Sequence, residues 1–227
     1  MAVILLVRHG QNEWVEKKRL AGWLPNVHLN AKGKEQAREA AERLSHLPIK
    51  SIYSSPVERC METATYIAQE LDLEIEQLEA IGEVRYGDWE GAEIEQLSKE
   101  KSWFAVQHFP SRFRFPQGEA LRDVQSRAVS ALETLSVRYE PHEMVVVVSH
   151  ADLIKLVLAH YLGVHIDLFQ RIVISPASIS AIALMDNGLV RVLRVNDTGR
   201  LEAPAPEKEE TEPGDNGSSD EKDGEEL

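Results

Sequence analysis

The sequence predicts an α/β fold: a three-layer sandwich in which a mostly parallel sheet with an antiparallel edge carries helices on both faces. Short apolar strands alternate along the chain with longer segments whose apolar residues recur at helical spacing. Near the C-terminus, two further strand-like segments flank Asp186-Asn187-Gly188, a turn sequence typical of antiparallel hairpins. The first pattern predicts the parallel part of the sheet, and the second predicts its antiparallel edge.

Each element is predicted from local signals. Runs rich in β-branched residues and leucine mark the strands, and residues with capping or helix-breaking roles mark the helix ends. Pro48 ends the first long helix, Ser55 caps the second with Pro56 in its first turn, and Gly163 stops the last. We therefore expect strands at residues 3–7, 49–53, 73–78, 144–148, 172–174, 178–185 and 189–195, and helices at residues 31–47, 56–71, 94–108, 119–139 and 152–162.

Charge is distributed unevenly along the 227 residues. Residues 202–227 hold 11 acidic and 2 basic side chains, so this stretch carries −9 of the formal net charge of −13. It has almost no apolar residues that could offset the entropy cost of ordering it. We therefore expect a single domain at residues 1–201, followed by a disordered acidic tail at residues 202–227.

The composition also argues against several classes of function. The body of the chain has no basic stripe, which argues against a nucleic-acid partner, and no apolar run long enough to cross a membrane. The first apolar run is too short for a signal peptide and lacks a basic leader. Cys60 is the single cysteine, so we expect no intramolecular disulfide and a reducing, cytoplasmic location.

Histidine and arginine residues follow the predicted core strands. The first strand ends in Arg8-His9-Gly10, and the strand at residues 144–148 ends in Ser149-His150. A third strand leads into a helix with Arg59 in its first turn. Because ligands bind where parallel strands end, and because guanidinium groups suit phosphate, this pattern indicates an anion site. An imidazole there serves as nucleophile, base or ligand; for any one of these residues alone, a solvent-facing position is the alternative.

Six ordered sequence blocks resemble the histidine phosphatase superfamily, the phosphoglycerate-mutase-like proteins. The Arg8-His9-Gly10 motif is similar to the signature of that family. The other blocks, all within residues 1–195, are Leu29-Asn30-Ala31-Lys32-Gly33 with Gln36-Ala37, Ser54-Ser55-Pro56 with Arg59 and Thr63-Ala64, Gly82-Glu83 with residues 86–91, Pro116-Gln117-Gly118-Glu119, and residues 145–150. The resemblance implies a phosphoglycerate-mutase-like fold.

The resemblance also implies a role for five side chains. His9 would attack phosphorus and become a phosphohistidine. Arg8, Arg59 and His150 would surround the transferred phosphoryl group and stabilise its charge. Glu83 would protonate the leaving alkoxide and then take a proton from water. No metal and no cofactor are implied, and the sequence lacks the ligand spacings of common metal sites.

Candidate substrate contacts lie in the same loops. Asn12 can donate a hydrogen bond to a phosphate oxygen, whereas Val15 departs from the family pattern and cannot. Asp152 brings a negative charge close to the anion site unless its side chain turns away. The candidate substrate-binding residues are Gly10, Asn12, Gly22 and Ala151.

The segment between the Glu83 loop and the Pro116 block bears on the reaction. Phosphoglycerate mutases of the family carry a long insertion there that shields the phosphoenzyme from water, and residues 91–116 are short. We therefore expect a metal-independent phosphomonoesterase acting on a small phosphorylated metabolite. A phosphomutase and a catalytically weak binding protein of the same fold are the alternatives. Residues 103–115 are expected to form a lid that selects the substrate, and the oligomeric state stays open, with a homodimer as one alternative.

Overall fold

A six-stranded mixed sheet forms the centre of the computed structural model, which describes residues 2–140, 143–185 and 187–199. The strands are β1 (Ala2–Arg8), β2 (Ile49–Ser54), β3 (Ile75–Gln77), β4 (Met144–Ser149), β5 (Ile179–Leu184) and β6 (Val190–Asp197). Their order across the sheet is β3-β2-β4-β1-β5-β6. The first four strands of that order run parallel, and β5 runs antiparallel to both β1 and β6. The predicted mostly parallel sheet with an antiparallel edge is confirmed.

Helices cover both faces of this sheet. They are α1 (Glu13–Glu16), α2 (Ala31–Leu44), α3 (Glu58–Leu71), α4 (Ile94–Leu97), α5 (Lys101–His108), α6 (Leu121–Ser136) and α7 (Ala151–Tyr161), with 3₁₀ helices at Glu79–Ile81, Gly87–Trp89, Pro110–Arg112 and Ile166–Arg171. Alternate residues of β1 point to opposite faces. Leu5 packs on the side of α2 and α3, and Leu6 on the side of α6 and α7. The three-layer arrangement therefore matches the predicted fold class.

The central strands are apolar throughout because both of their faces are covered. β1 lies between β4 and β5, and its residues 2–7 are buried. The pairing register places Arg8 beside Ser149, and Ser54 beside Val148. Three parallel strands therefore end side by side, and the residues that follow them share one edge of the sheet.

Three predicted elements differ from those observed. Ser55 does not cap α3, which begins at Glu58 after the N-cap Val57; the Ser55 hydroxyl instead forms a 2.8 Å hydrogen bond with the ring of His150. Residues 172–174 form no strand and follow the 3₁₀ helix Ile166–Arg171 instead, since a short apolar run alone does not specify pairing. The helix predicted at residues 94–108 is split into α4 and α5.

Some predictions fall on residues outside the described ranges. These are the acidic tail at residues 202–227 and Asp186 of the predicted hairpin turn. The rest of that turn is described: the Met185 amide donates to the Leu189 carbonyl at 2.9 Å, and Gly188 adopts a φ of +79°. Within the described part of the chain, no helix has the length and apolar character needed to cross a membrane.

Two glycines allow the loop after β1 to pack against the start of α2. A Cβ atom at Gly10 would overlap the Gly33 carbonyl, and one at Gly33 would overlap the Gln11 backbone. Asn30 caps α2 through a 2.8 Å hydrogen bond that its Oδ1 accepts from the Gly33 amide. This close backbone contact fixes the position of the chain directly after His9.

We expect Gly33→Ala to lower the free energy of unfolding by about 1–3 kcal/mol, the usual cost of overpacking. The sign of this change is informative, because helix propensity alone would make alanine more stabilising than glycine by about 0.5–1 kcal/mol. Chemical denaturation measures the change. Lys34→Ala, at the next, exposed position of α2, is the control, with an expected change within about 0.5 kcal/mol. A Gly33→Ala protein as stable as the parent would contradict the contact.

Candidate active site

The aligned strand ends bring two histidines and two arginines together. His9 follows β1, and its amide donates to the Ser149 carbonyl at the end of β4 at 2.9 Å. His150 is the N-cap of α7, and the centroids of the two imidazole rings lie 5.3 Å apart. Arg59 reaches this pair from the first turn of α3. The convergence expected from the sequence is therefore present in the structure.

Arg59 connects the two histidines although its side chain is almost fully buried. The residue is 1% exposed. Its Nε donates to His9 Nε2 at 3.3 Å, and its Nη2 donates to His150 Nδ1 at 3.1 Å. The same Nη2 also donates to the Gly22 carbonyl at 3.0 Å. Because a guanidinium group only donates, the facing nitrogens of both rings must carry lone pairs.

His9 is arranged as a nucleophile by this network. Its Nδ1 lies 2.8 Å from the Gly10 carbonyl, so this nitrogen carries the proton and Nε2 is free of one. Burial, Arg59 and Arg8 together hold the pKa of His9 well below its ordinary value. The ring is therefore neutral at physiological pH, with an unprotonated Nε2 beside two cations.

His150 is fixed from the side opposite Arg59. Since its Nδ1 accepts from Arg59, its Nε2 carries the proton and donates to Ser55 Oγ at 2.8 Å. Cys60 Sγ lies 3.4 Å from the same Nε2. Burial and Arg59 lower the pKa of His150 well below its ordinary value, so this ring is also neutral. Ser55 was predicted only as a helix cap; nothing in its local sequence indicates a contact with a residue 95 positions away.

Glu83 brings a carboxyl group to the same site. Its Oε2 lies 3.4 Å from His150 Nδ1 and 3.6 Å from Arg59 Nη2, and its Oε1 accepts from the Val84 amide at 3.0 Å. Burial raises the pKa of Glu83 to about 7, although Arg59 acts in the opposite direction. A carboxyl group with this pKa holds or releases a proton near neutral pH, as a general acid and base requires.

The backbone of the Glu83 loop is held by two side chains distant in sequence. Trp23 Nε1 donates to the Glu83 carbonyl at 2.7 Å, and Arg127 Nη2 donates to it at 3.0 Å. Arg127, on α6, also donates to the carbonyls of Ala80 and Gly82 and to both carboxylate oxygens of Glu119. The sequence reasoning missed Arg127; a cation among the apolar positions of α6 was the only signal for it.

Three residues that each carry a buried donor without a partner line one cavity of about 340 Å³. Among the described residues, Arg8 Nε, Arg59 Nη1 and Asn12 Nδ2 are buried and make no hydrogen bond, and all three residues line this cavity. Unpaired buried donors are costly, which makes this cluster a site for a ligand with several acceptor oxygens. Ala151, the first residue of α7, lines the same cavity and adds a helix N-terminus, which favours anions.

The predicted substrate-binding residues occupy different positions. Asn12 and Ala151 line the cavity, and Asn12 Oδ1 accepts from the Val15 amide, which leaves its Nδ2 free to donate. The Gly10 amide donates to Thr63 Oγ1 at 3.1 Å, and the Gly22 carbonyl accepts from Arg59. Gly10 thus contacts Thr63 and Gly22 contacts Arg59, neither glycine lines the cavity, and their direct contact with substrate stays a prediction.

The predicted lid is not part of the cavity wall. Trp103, Phe113 and Phe115 instead pack around Trp89, with ring centroids 6.0, 5.6 and 5.3 Å from it. In this segment Trp103, Phe113 and Phe115 pack against the core, whereas Phe104 and Phe109 are exposed. Apart from the proposed catalytic and phosphate-binding residues, the wall consists of residues from the α1 region, the Glu83 loop, α4, α7 and residues 170–174, namely Trp14, Val15, Lys18, Arg19, Leu20, Ala21, Tyr86, Ile94, Asp152, Lys155, Gln170, Ile172, Val173 and Ile174.

Comparisons with known proteins agree with this geometry. The model of the histidine phosphatase superfamily (branch 1) matches residues 4–198. Phosphoserine phosphatase 1 of Hydrogenobacter thermophilus is 32% identical over 206 residues, which cover 88% of this chain and 95% of that protein. Phosphoglycerate mutase-like protein 4 of Arabidopsis thaliana is 33% identical over 159 residues, or 68% of each chain. The solved structure of Bacillus stearothermophilus YhfR has a TM-score of 0.81 at 27% identity, covering 87% of this chain and 98% of that one.

The raised pKa of Glu83 has a consequence for stability. Between its unperturbed value of 4.5 and about 7, the folded chain keeps a proton that the unfolded chain releases. The free energy of unfolding therefore falls as pH rises through this interval. Glu83→Gln removes that fall, so we expect the Tm of the variant, relative to the parent, to increase from about pH 5 to about pH 8.

Thermal denaturation across this pH range measures the effect. Glu70→Gln is the matched control, because Glu70 is an exposed glutamate near the C-terminal end of α3. Comparing variant with parent cancels the contributions of His9 and His150, which both proteins share. A difference in Tm that does not change with pH would show that Glu83 is not protonated in the folded state.

Proposed function

The chain belongs to the histidine phosphatase superfamily, and from this we propose that it is a phosphomonoesterase that hydrolyses a small phosphorylated metabolite through a phosphohistidine on His9. The observation that carries the proposal is the set of unpartnered buried donors of Arg8, Asn12 and Arg59 around an unprotonated imidazole nitrogen. Phosphate is tetrahedral and offers acceptor oxygens in several directions, which suits donors arriving from different elements.

In the first step, the phosphate oxygens accept hydrogen bonds from Arg8 and Arg59. The lone pair of His9 Nε2 attacks phosphorus, and the bond from phosphorus to the ester oxygen breaks. Glu83 transfers its proton to that oxygen, which leaves as an alcohol. The arginines stabilise the charge on the transferred phosphoryl group, which is the main requirement of such reactions.

In the second step, the Glu83 carboxylate takes a proton from water. The water oxygen attacks phosphorus, the bond to His9 Nε2 breaks, and its electron pair returns to the imidazole. Glu83 is again protonated, and inorganic phosphate leaves. A carboxyl pKa of about 7 supports both roles, because neither protonation state is rare near neutral pH.

Hydrolysis is favoured over transfer by the short segment between the Glu83 loop and the Pro116 block. Of residues 91–116, only Ile94 lines the cavity, so this segment gives little cover against water. The convergence of all five proposed catalytic side chains supports an active enzyme over a binding protein. The mutase alternative is retained because relatives with that name share the family.

The remaining parts of the proposal concern the setting of the reaction. Among the described residues, no group of three or more His, Cys, Asp or Glu side chains is arranged to hold a metal ion. The proposed reaction uses none, and Arg8 and Arg59 supply the positive charge that the phosphoryl group requires. The single cysteine supports a cytoplasmic location. Whether the chain works as a monomer or a homodimer stays open.

We expect a covalent phosphoenzyme on His9. Quenching with alkaline detergent during turnover of a labelled phosphate ester should trap a label that is stable to alkali and labile to acid, and His9→Ala should abolish it. His160→Ala, at an exposed histidine on α7, should label normally. Turnover should persist in a chelator. Label that survives in His9→Ala would overturn the assignment of the nucleophile.

We expect Glu83→Gln to slow phosphorylation of His9 by an alkyl phosphate by about 10²–10⁴-fold, since glutamine keeps the shape but supplies no proton. With p-nitrophenyl phosphate the first step should change much less, because that leaving group needs little protonation. Rapid-quench measurement of nitrophenol release should then show an early burst and a slow steady state.

The same experiment distinguishes the alternatives. Equal slowing of the first step with both esters would make Glu83 a structural residue rather than an acid. Added 3-phosphoglycerate tests for transfer: return of the phosphoryl group to this acceptor faster than hydrolysis would favour a mutase. Water as the dominant acceptor would support the phosphatase.

A further inference from the structure

A polar cluster lies in the cavity wall outside the proposed catalytic group. Lys155 and Gln170 both line the cavity, one on α7 and the other in the 3₁₀ helix Ile166–Arg171. Lys155 Nζ donates to Gln170 Oε1 at 2.9 Å and to Asp152 Oδ1 at 3.1 Å. The side chain of Lys155 is only 17% exposed. A lysine held this firmly in a cavity wall has a defined direction, unlike an ordinary surface lysine.

The Asp152 carboxylate is already satisfied by protein donors. Its Oδ1 pairs with Lys155, and its Oδ2 accepts from the Tyr86 hydroxyl at 3.0 Å. Burial and the nearby carboxylates raise the pKa of Tyr86, so this hydroxyl keeps its proton and donates. The negative charge that the sequence placed near the anion site is therefore turned toward Tyr86 and Lys155.

The cluster has free hydrogen-bond donors that can bind a ligand. Lys155 has three N–H bonds and uses two of them on protein acceptors. Gln170 uses its amide oxygen on Lys155, which leaves its NH₂ group as the free end. These free N–H donors favour a substrate group that accepts hydrogen bonds.

The charge of the cavity lining also favours an anionic group on the substrate. Its lining includes the cations Arg8, Lys18, Arg19, Arg59 and Lys155 but only two carboxyl groups, Glu83 and Asp152. A phosphate dianion does not neutralise this excess when Glu83 is protonated. A second anionic group on the substrate would reduce the remaining positive charge.

The cluster also lies on the side of the cavity where the leaving group must be. Glu83, the proposed acid, marks the position of the ester oxygen. The Asp152–Lys155 pair is joined to the loop of Glu83, because Asp152 Oδ2 accepts from the hydroxyl of Tyr86, three residues after Glu83. All four of these residues line the same cavity. The group that departs with the oxygen would therefore extend past Lys155 and Gln170.

We propose that Lys155 and Gln170 form a subsite that binds a carboxylate carried by the leaving group, which makes the substrate a phosphorylated carboxylic acid. This inference rests on the proposed phosphatase function. Lys155 supplies the charge and Gln170 supplies a second hydrogen bond, while Asp152 positions Lys155. Both residues determine specificity and take no part in the transfer itself.

The test compares two esters that differ by one group, 3-phosphoglycerate, with a carboxylate, and glycerol 3-phosphate, with a hydroxymethyl in its place. We expect the parent to have the higher kcat/KM for 3-phosphoglycerate. Lys155→Met should lower the ratio of the two kcat/KM values by about 10–100-fold, the range for a hydrogen bond to a charged group. Gln170→Met should lower it less, and Lys155→Arg should largely restore it.

Two controls separate recognition from a structural effect. p-Nitrophenyl phosphate has no carboxylate, so its kcat/KM should change far less than that of 3-phosphoglycerate in Lys155→Met. Arg171→Met removes an exposed cation next to Gln170 that does not line the cavity, and should leave the ratio unchanged. Equal kcat/KM for the two esters in the parent, or an equal loss for all three substrates in Lys155→Met, would overturn the subsite.

A binding measurement tests the subsite independently of the proposed phosphatase function. If the parent hydrolysed none of the esters, the phosphatase proposal would fail, and calorimetric titration with 3-phosphoglycerate would still decide on the subsite. A Kd that weakens by about 10-fold or more in Lys155→Met but not in Arg171→Met would support it. The same Kd in parent and Lys155→Met, or no binding to the parent, would refute it.

Discussion

The buried guanidinium of Arg59 is the interaction on which the site depends. It donates to a ring nitrogen of each histidine and to the Gly22 carbonyl, so one side chain fixes the orientation of both imidazoles. Its charge also keeps both rings neutral, because a second positive charge beside it would be repelled in a poorly hydrated environment. A buried charge without partners is costly. The guanidinium of Arg59 is stabilised by the lone pairs of the two imidazoles, by the Gly22 carbonyl and by the nearby Glu83 carboxyl.

The surrounding fold holds the Arg59 side chain in contact with its partners. Arg59 lies in the first turn of α3. Thr63, one turn further along the helix, accepts a hydrogen bond from the amide of Gly10, the residue that follows His9. His9 and Arg59 are therefore linked through the Gly10 amide and the Thr63 hydroxyl as well as by their direct hydrogen bond. Glu83 is fixed separately, through its own carbonyl, by Trp23 and Arg127. The side chains of His9 and Glu83 thus come from separate loops, each with its own anchoring contacts.

The sequence predicted those parts of the protein that follow from strand ends and ordered motifs. His9 and His150 were found because each comes directly after a strand buried on both faces, and parallel strands end at one edge. Ser55, Arg127 and the Tyr86–Asp152–Lys155–Gln170 cluster were not found as site residues, because their partners lie far away in the chain and no local pattern encodes such pairs. A lid that selects the substrate was expected at residues 103–115, because aromatic residues suit a lid as well as a packed core. In the structure this segment does not line the cavity, and Trp103 and Phe113 pack around Trp89.

The three unpartnered donors on residues that line the cavity have a consequence beyond the ester they are proposed to bind. If they bind the phosphoryl oxygens of that ester, they also bind those of inorganic phosphate, which then competes for the same contacts. A ligand that binds only the folded state shifts the folding equilibrium toward it in proportion to ln(1 + [L]/Kd). The folded chain is accordingly more populated in a phosphate-rich medium, and the product of the proposed reaction acts on the protein both as a competitive inhibitor and as a stabiliser.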